Sequence, residues 1–192
     1  IVVTAGTTTV KIPATVNGNP FGDMEGHWAE EYTTQLYNEG VINGFEENGV
    51  YNYHPDENMT RAQFAVVMAN KLGLQTLPFE DTDDIPDWAL SAVKAVYEAG
   101  YLTGVGGADG KLYFNSDSPI TRAEAMTLIG RTMTELDENA PLDFTDADEI
   151  PQWAVIYMRT LAAKGIINGY DGKIMPLANI TRAEVAKIMA TM

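Results

Sequence analysis

Apolar residues recur at helical spacing in two kinds of stretch along this chain. In "DWALSAVKAVYEAG" (87–100) the positions Trp88, Ala92, Val93, Val96 and Tyr97 fall on one face, which predicts an amphipathic helix that stops at Gly100. A short apolar pair follows, then a polar loop rich in Gly, Asn and Asp, then a second stripe. That stripe is Phe64, Val67, Met68 and Leu72 in one stretch, Ile129 and Met133 in another, and Val185, Ile188 and Met189 in a third. Such stripes are core positions. Each second helix opens on the same signal, Thr60 with Gln63, Thr121 with Glu124 and Thr181 with Glu184, the N-cap and N3 residues of a capping box. The first 19 residues differ: "TTTVKIPATV" alternates loosely and is β-branched, which predicts a strand or an extended linker leaving an upstream domain.

The stretches are copies of one unit. "FGDMEGHWAEEYTTQLYNEGVING" (21–44), "FEDTDDIPDWALSAVKAVYEAGYLTG" (79–104) and "FTDADEIPQWAVIYMRTLAAKGIING" (144–169) each open Phe-x-Asp, reach Trp-Ala, and place glycines 12 and 16 positions after the tryptophan. Trp28, Trp88 and Trp153 therefore correspond, as do Gly40, Gly100 and Gly165, and Gly44, Gly104 and Gly169. First helices are expected over 28–39, 88–99 and 153–164, each closed by a glycine at C′. Arg61, Arg122 and Arg182 follow the last glycine by 17, 18 and 13 positions, so the loop varies while its ends do not. The domains read as a leading segment 1–19 and repeats 20–78, 79–141 and 142–192. A helix-loop-helix of about 50–60 residues is too small to hold a core alone and must pack on its siblings. The fold class is mainly all-α with a short extended N-terminal segment.

Composition narrows the chemistry. The net charge of −15 repels a duplex or RNA backbone and argues against nucleic-acid binding. There is no cysteine, so a disulfide framework and a thiolate zinc site are excluded, and no cofactor or metal is expected. No run of 18 apolar residues occurs, so no membrane insertion is expected, and the opening "IVVTAGTTTV" reads as a piece cut from a longer protein. Against that acidic background the arginines stand out. The chain has five, and three begin the second helices, where the macrodipole disfavours a cation by roughly 0.3–1 kcal/mol.

Three copies of Phe-x-Asp, Trp-Ala, Gly, Gly and Thr-Arg-Ala-Glu resemble the S-layer homology domain in its usual triple array, over roughly residues 20–192. The resemblance implies a three-pronged spindle with pseudo-threefold symmetry and ligand grooves between the prongs. It implies a secreted, cell-wall or S-layer module that anchors exported proteins non-covalently to a secondary wall polysaccharide bearing pyruvylated N-acetylmannosamine, or in some lineages to modified peptidoglycan. It also implies that Arg61, Arg122 and Arg182 are the main ligand contacts. The sequence departs from the motif at "TRAQ" (60–63), where Gln63 replaces glutamate and carries no charge to orient the neighbouring arginine. On that basis the groove of Arg61 is expected to bind most weakly.

Two readings of the arginines stay open: each pairs with an acidic neighbour, Asp23, Asp81 or Asp146, or each presents its planar fork to a ligand carboxylate. Both hold if the aspartate presets the arginine. Gln63, Glu124 and Glu184 read first as helix caps, and Trp28, Trp88 and Trp153 as buried packing anchors whose indole edge also lines a sugar groove. Gly44, Gly104 and Gly169 are expected to supply a positive φ or a close backbone approach. Catalysis is not expected. A glycosidase needs two carboxyls in divergent surroundings, whereas Glu124 and Glu184 are equivalent residues of equivalent copies. Calcium binding through "DTDD", "DADE" or "GADGK" lacks the EF-hand ligand spacing.

Overall fold

The fold is seen in a computed structural model that describes residues 18–74, 85–102 and 112–192, together with the strand segments 2–5, 8–11 and 105–106. Strands β1 (Val2–Ala5) and β2 (Thr8–Lys11) pair antiparallel, so of the two readings of the leading segment the strand is the one observed at these residues. Each repeat then supplies two helices: α1 (Glu30–Asn38) and α2 (Arg61–Leu72), α3 (Asp87–Glu98) and α4 (Arg122–Gly130), α5 (Val155–Ala163) and α6 (Arg182–Thr191). The first helices end as expected. Gly40, Gly100 and Gly165 have φ of 74°, 78° and 70°, and each C″ amide (Val41, Tyr101, Ile166) donates back to the carbonyl of Leu36, Val96 or Leu161. This is a Schellman motif built three times.

The polar loops are more regular than their composition suggested. β3 (Phe45–Glu47) pairs with β4 (Val50–Asn52) across Asn48-Gly49, and β5 (Val105–Gly106) pairs with β6 (Leu112–Tyr113). In the third repeat the hairpin shrinks to one bridge, Tyr170 with Lys173, around Asp171-Gly172. Both described turns have positive φ at both central residues, 52° and 80° in one and 49° and 71° in the other. These are the Asn-Gly and Asp-Gly turns that twist two strands together.

The repeats close on one another. The second helix of each packs on the first helix of the next: α2 on α3, α4 on α5, and α6 back on α1. At the centre the amide of Met59 donates to Ile180 O, Ile180 to Ile120 O, and Ile120 to Met59 O, at 3.0, 3.1 and 3.0 Å. These three residues are buried. Beside this ring the amides that open each second helix are satisfied by the following repeat. Arg61 N donates to Ser118 O and Ala62 N to Ser116 O, Arg122 N to Ala178 O and Ala123 N to Pro176 O, Arg182 N to Glu57 O and Ala183 N to Pro55 O. The third orphan amide goes to the capping threonine of the same repeat, since Gln63, Glu124 and Glu184 all close their capping boxes. All three exposed amides of each helix start thus have partners, and two of them come from another repeat.

The Trp-Ala pair is split in a way the hydrophobic pattern did not indicate. Ala29, Ala89 and Ala154 are fully buried, whereas Trp28, Trp88 and Trp153 are 55%, 60% and 53% exposed. The expectation that the tryptophans anchor the core is therefore corrected. On α3 the packed stripe is Ala89, Ala92, Val93 and Val96, with Trp88 and Tyr97 outside it. Of the second-helix stripes, Phe64, Val67, Met68, Ile129, Val185, Ile188 and Met189 are buried, while Leu72 is half-buried and Met133, also half-buried, lies past the end of α4 rather than on it.

Candidate functional site

Each motif arginine is the first residue of its helix, and its side chain reaches across to the following repeat. Arg61 donates from Nε to Phe114 O (2.8 Å) and pairs through Nη1 with Glu124 (3.0 Å). Arg122 donates from Nε to Ile174 O (3.0 Å) and pairs with Glu184 (2.7 Å). Arg182 donates from Nε to Tyr53 O (2.7 Å) and from Nη2 to Asn43 O (3.5 Å). The first two pairs run from one repeat to the N3 residue of the next, and the residue in that place for Arg182 is Gln63. Among the described residues Arg182 makes no ion pair. Its guanidinium lies instead over the rings of Tyr53 and Phe45, at 4.4 and 4.9 Å from their centroids.

Two expectations are corrected by this arrangement. Gln63 does not leave Arg61 without a charged partner, because that partner is Glu124; the arginine facing the uncharged residue is Arg182. Nor do Asp23 and Asp146, the two described motif aspartates, form ion pairs with the arginines. Asp23 accepts from the amides of Tyr53 (2.8 Å) and His54 (2.6 Å), and Asp146 from those of Ile174 and Met175 (both 2.8 Å). His54 and Met175 are held at φ of 57° and 50°, an unfavourable backbone for a side-chain residue, and the carboxylate fork secures it. The aspartate thus fixes a peptide whose carbonyl receives an arginine Nε, and presets the arginine at one remove. Asp81 and Gly104 lie outside the described residues.

Electrostatics follow from these contacts. Burial alone would raise the Asp146 carboxyl, but the Ile174 and Met175 amides outweigh it and hold it below the usual carboxylate value. Burial pushes the Arg182 guanidinium below the usual arginine range, opposed by Tyr53, Glu57 and Asp23. Burial likewise raises the Tyr53 phenol to about 12, so it is neutral and donates to Arg182 O at 3.0 Å.

Gly44 and Gly169 act through close approach and not through a positive φ. A Cβ at Gly44 would collide with Asn52 O and the Phe21 ring, and at Gly169 with Lys173 O and the Phe144 ring. The phenylalanine of Phe-x-Asp and the hairpin backbone press on the glycine together. Gly169→Ala is expected to cost about 1–3 kcal/mol, the range for overpacking, because a carbonyl cannot move aside as a flexible side chain does. Chemical denaturation of the variant measures it.

These residues converge in grooves that draw on all three repeats. One, of about 320 Å³, is lined by Gly44 and Gln63 of the first repeat, Trp88 of the second and Arg182 of the third. Another, of about 490 Å³, is lined by Gly169 and Glu184 of the third, Trp28 of the first and Arg122 of the second. Both fall in the size range of small-ligand sites. The Arg61–Glu124 pair and exposed Trp153 are the matching elements of the remaining set. Phe45, Tyr53 and Asn43 were not singled out from sequence. Their spacing to Arg182 exceeds 120 residues, and only the closing of the ring brings them to it. Among the described residues no cluster of three metal-ligating side chains occurs, and no helix is long and apolar enough to cross a membrane.

Comparison with known proteins gives matches to the S-layer homology domain over residues 20–65, 78–126 and 143–186. The cellulosome-anchoring protein of Acetivibrio thermocellus is 35% identical over 144 residues, covering 69% of this chain and 31% of that protein. The surface-layer 125 kDa protein of Lysinibacillus sphaericus is 28% identical over 187 residues, covering 94% and 15%. An amylopullulanase of Thermoanaerobacterium thermosulfurigenes is 31% identical over 179 residues, covering 88% and 9%. The chain spans less than a third of the length of each of these relatives.

Proposed function

The chain belongs to the S-layer homology domain family, and from that membership we propose that it is a cell-surface anchoring module whose grooves hold an anionic wall polysaccharide carrying pyruvylated N-acetylmannosamine. The ring of Met59, Ile120 and Ile180 and the cyclic helix packing support a pseudo-threefold, three-pronged spindle for the array. The observation that carries the functional reading is the composition of each described groove: an exposed indole from one repeat, a glycine and an N3 residue from a second, and an arginine from the third. An indole face and a guanidinium fork are the two groups that recognise a sugar ring and its acidic substituent. The net charge of −15 opposes long-range attraction of such a polymer, so capture depends on the local arginines. Glu124 and Glu184 each cap a helix with one oxygen and pair an arginine with the other, so they have identical duties and no division into acid and nucleophile.

The test is co-sedimentation of the protein with purified wall, before and after chemical removal of the covalently attached polysaccharide. Retention is expected only before removal; equal retention on stripped wall would shift the reading to peptidoglycan. A variant with Trp28, Trp88 and Trp153 all replaced by alanine should lose wall retention while its melting temperature shifts by only about 2 °C per site or less, since exposed side chains contribute little to stability. A large drop in melting temperature would restore the tryptophans to a packing role.

A further inference from the structure

The position three residues into each second helix is Gln63, Glu124 and Glu184, and the cyclic pairing turns that one difference into a difference between grooves. Arg61 and Arg122 each carry a carboxylate within 3.0 Å, so an incoming anion there meets a charge already neutralised and a repelling neighbour. Arg182 is 4% exposed, and its direct partners are two carbonyl oxygens and two aromatic faces. The acids whose charge reaches it are engaged elsewhere: Asp23 accepts from the amides of Tyr53 and His54, and Glu57 lies 3.6 Å from His54 Nδ1. A buried cation without a counter-ion is costly, and an arriving carboxylate relieves that cost. The cavity it lines, about 320 Å³, also offers Trp88, Phe45 and the amide of Gln63, which can donate to an anion where a glutamate would repel it.

We infer that the groove of Arg182 is the charge-selective one: it takes the carboxylate-bearing sugar of the glycan, while the Arg61–Glu124 and Arg122–Glu184 sites take neutral sugar residues through hydroxyl and amide hydrogen bonds. This rests on the wall-glycan reading above. It also moves the ranking expected from sequence, since the uncharged N3 residue marks the strongest anion site and not the weakest.

The experiment is calorimetric titration of the whole chain with the methyl glycoside of pyruvylated N-acetylmannosamine and with the unpyruvylated parent. Wild type should bind one equivalent of the pyruvylated probe tightly. Gln63→Glu should weaken that event by about 10- to 100-fold, the effect of losing a charged hydrogen bond, change binding of the parent sugar by much less, and raise the melting temperature by closing a third ion pair. Glu184→Gln, which keeps a residue type that already closes the capping box in the first repeat, should expose Arg122 and add a second tight equivalent. Wild-type affinity for the pyruvylated probe in Gln63→Glu, or an unchanged single equivalent in Glu184→Gln, overturns the inference. If wild type sediments with wall yet binds the two probes equally, the inference falls and anchoring stands; if it does not sediment with wall at all, both fall.

Discussion

Asp146→Ala is expected to lower the unfolding free energy by about 2–5 kcal/mol, since it strips the acceptor from two amides at once and each unmet buried donor costs about 1–3 kcal/mol. The amide of Ile174 is fully enclosed and that of Met175 partly so, which places the loss below twice the upper value. The damage should spread beyond the loop, because the Ile174 carbonyl receives Arg122 Nε and the peptide would no longer be held in place. Asp146→Asn keeps one acceptor oxygen and should recover part of the loss. The pH dependence has a definite sign. The folded carboxyl is held below its unfolded value, so its contribution is complete above about pH 4 and is lost as the pH falls through the lower folded value. The stability gap between wild type and Asp146→Ala should therefore narrow below about pH 4 without closing, since the protonated carboxyl keeps one acceptor; parallel curves across that range would show that the ionised carboxylate is not the source of the effect.

How much of this was readable beforehand depended on sequence distance. The Schellman glycines and capping boxes are set by residues within six positions of one another, and both were predicted correctly. The Asn48-Gly49 and Asp171-Gly172 turns are equally local, yet Gly, Asn and Asp also make unpaired loops, and composition alone does not separate the two. The partner of each arginine was not readable. Asp23 stood close in the motif, but the true partners of Arg61 and Arg122 lie 63 and 62 residues away, on the next copy. The tryptophans failed for a different reason: an apolar residue at the start of a helix fits a core stripe and an exposed groove wall equally well, and periodicity alone does not separate the two. Conversely, the place of Gln63 looked like a private defect of the first motif, and only the ring shows that it acts on the third.

Removing the third repeat, leaving residues 1–141, is expected to abolish cooperative unfolding rather than to subtract a third of the stability. α1 would lose α6, α4 would lose α5, and the amide of Met59 and the carbonyl of Ile120 would both be left without partners at the centre. The buried groups Ala29, Leu36 and Tyr53 would face water or collapse irregularly. Linear repeat arrays behave otherwise, since each unit there contacts only its neighbours and a terminal one can be deleted at a local cost. Calorimetry and near-ultraviolet circular dichroism of the truncated chain decide the matter: a broad, weak transition is expected, and a sharp one with native near-ultraviolet signal would mean that two repeats suffice.

The clasp between α1 and α6 also determines how the molecule answers to mechanical force. Tension transmitted through the chain ahead of Asn19 reaches α1 first. In an open row the leading repeat would peel away by itself, one hydrogen bond after another, at low force. Here its helix is gripped by the last helix of the chain, so pulling must shear the first repeat against the third while the central triangle of amides resists. The yield point then belongs to the whole ring, and a tether of this kind holds until it fails at once.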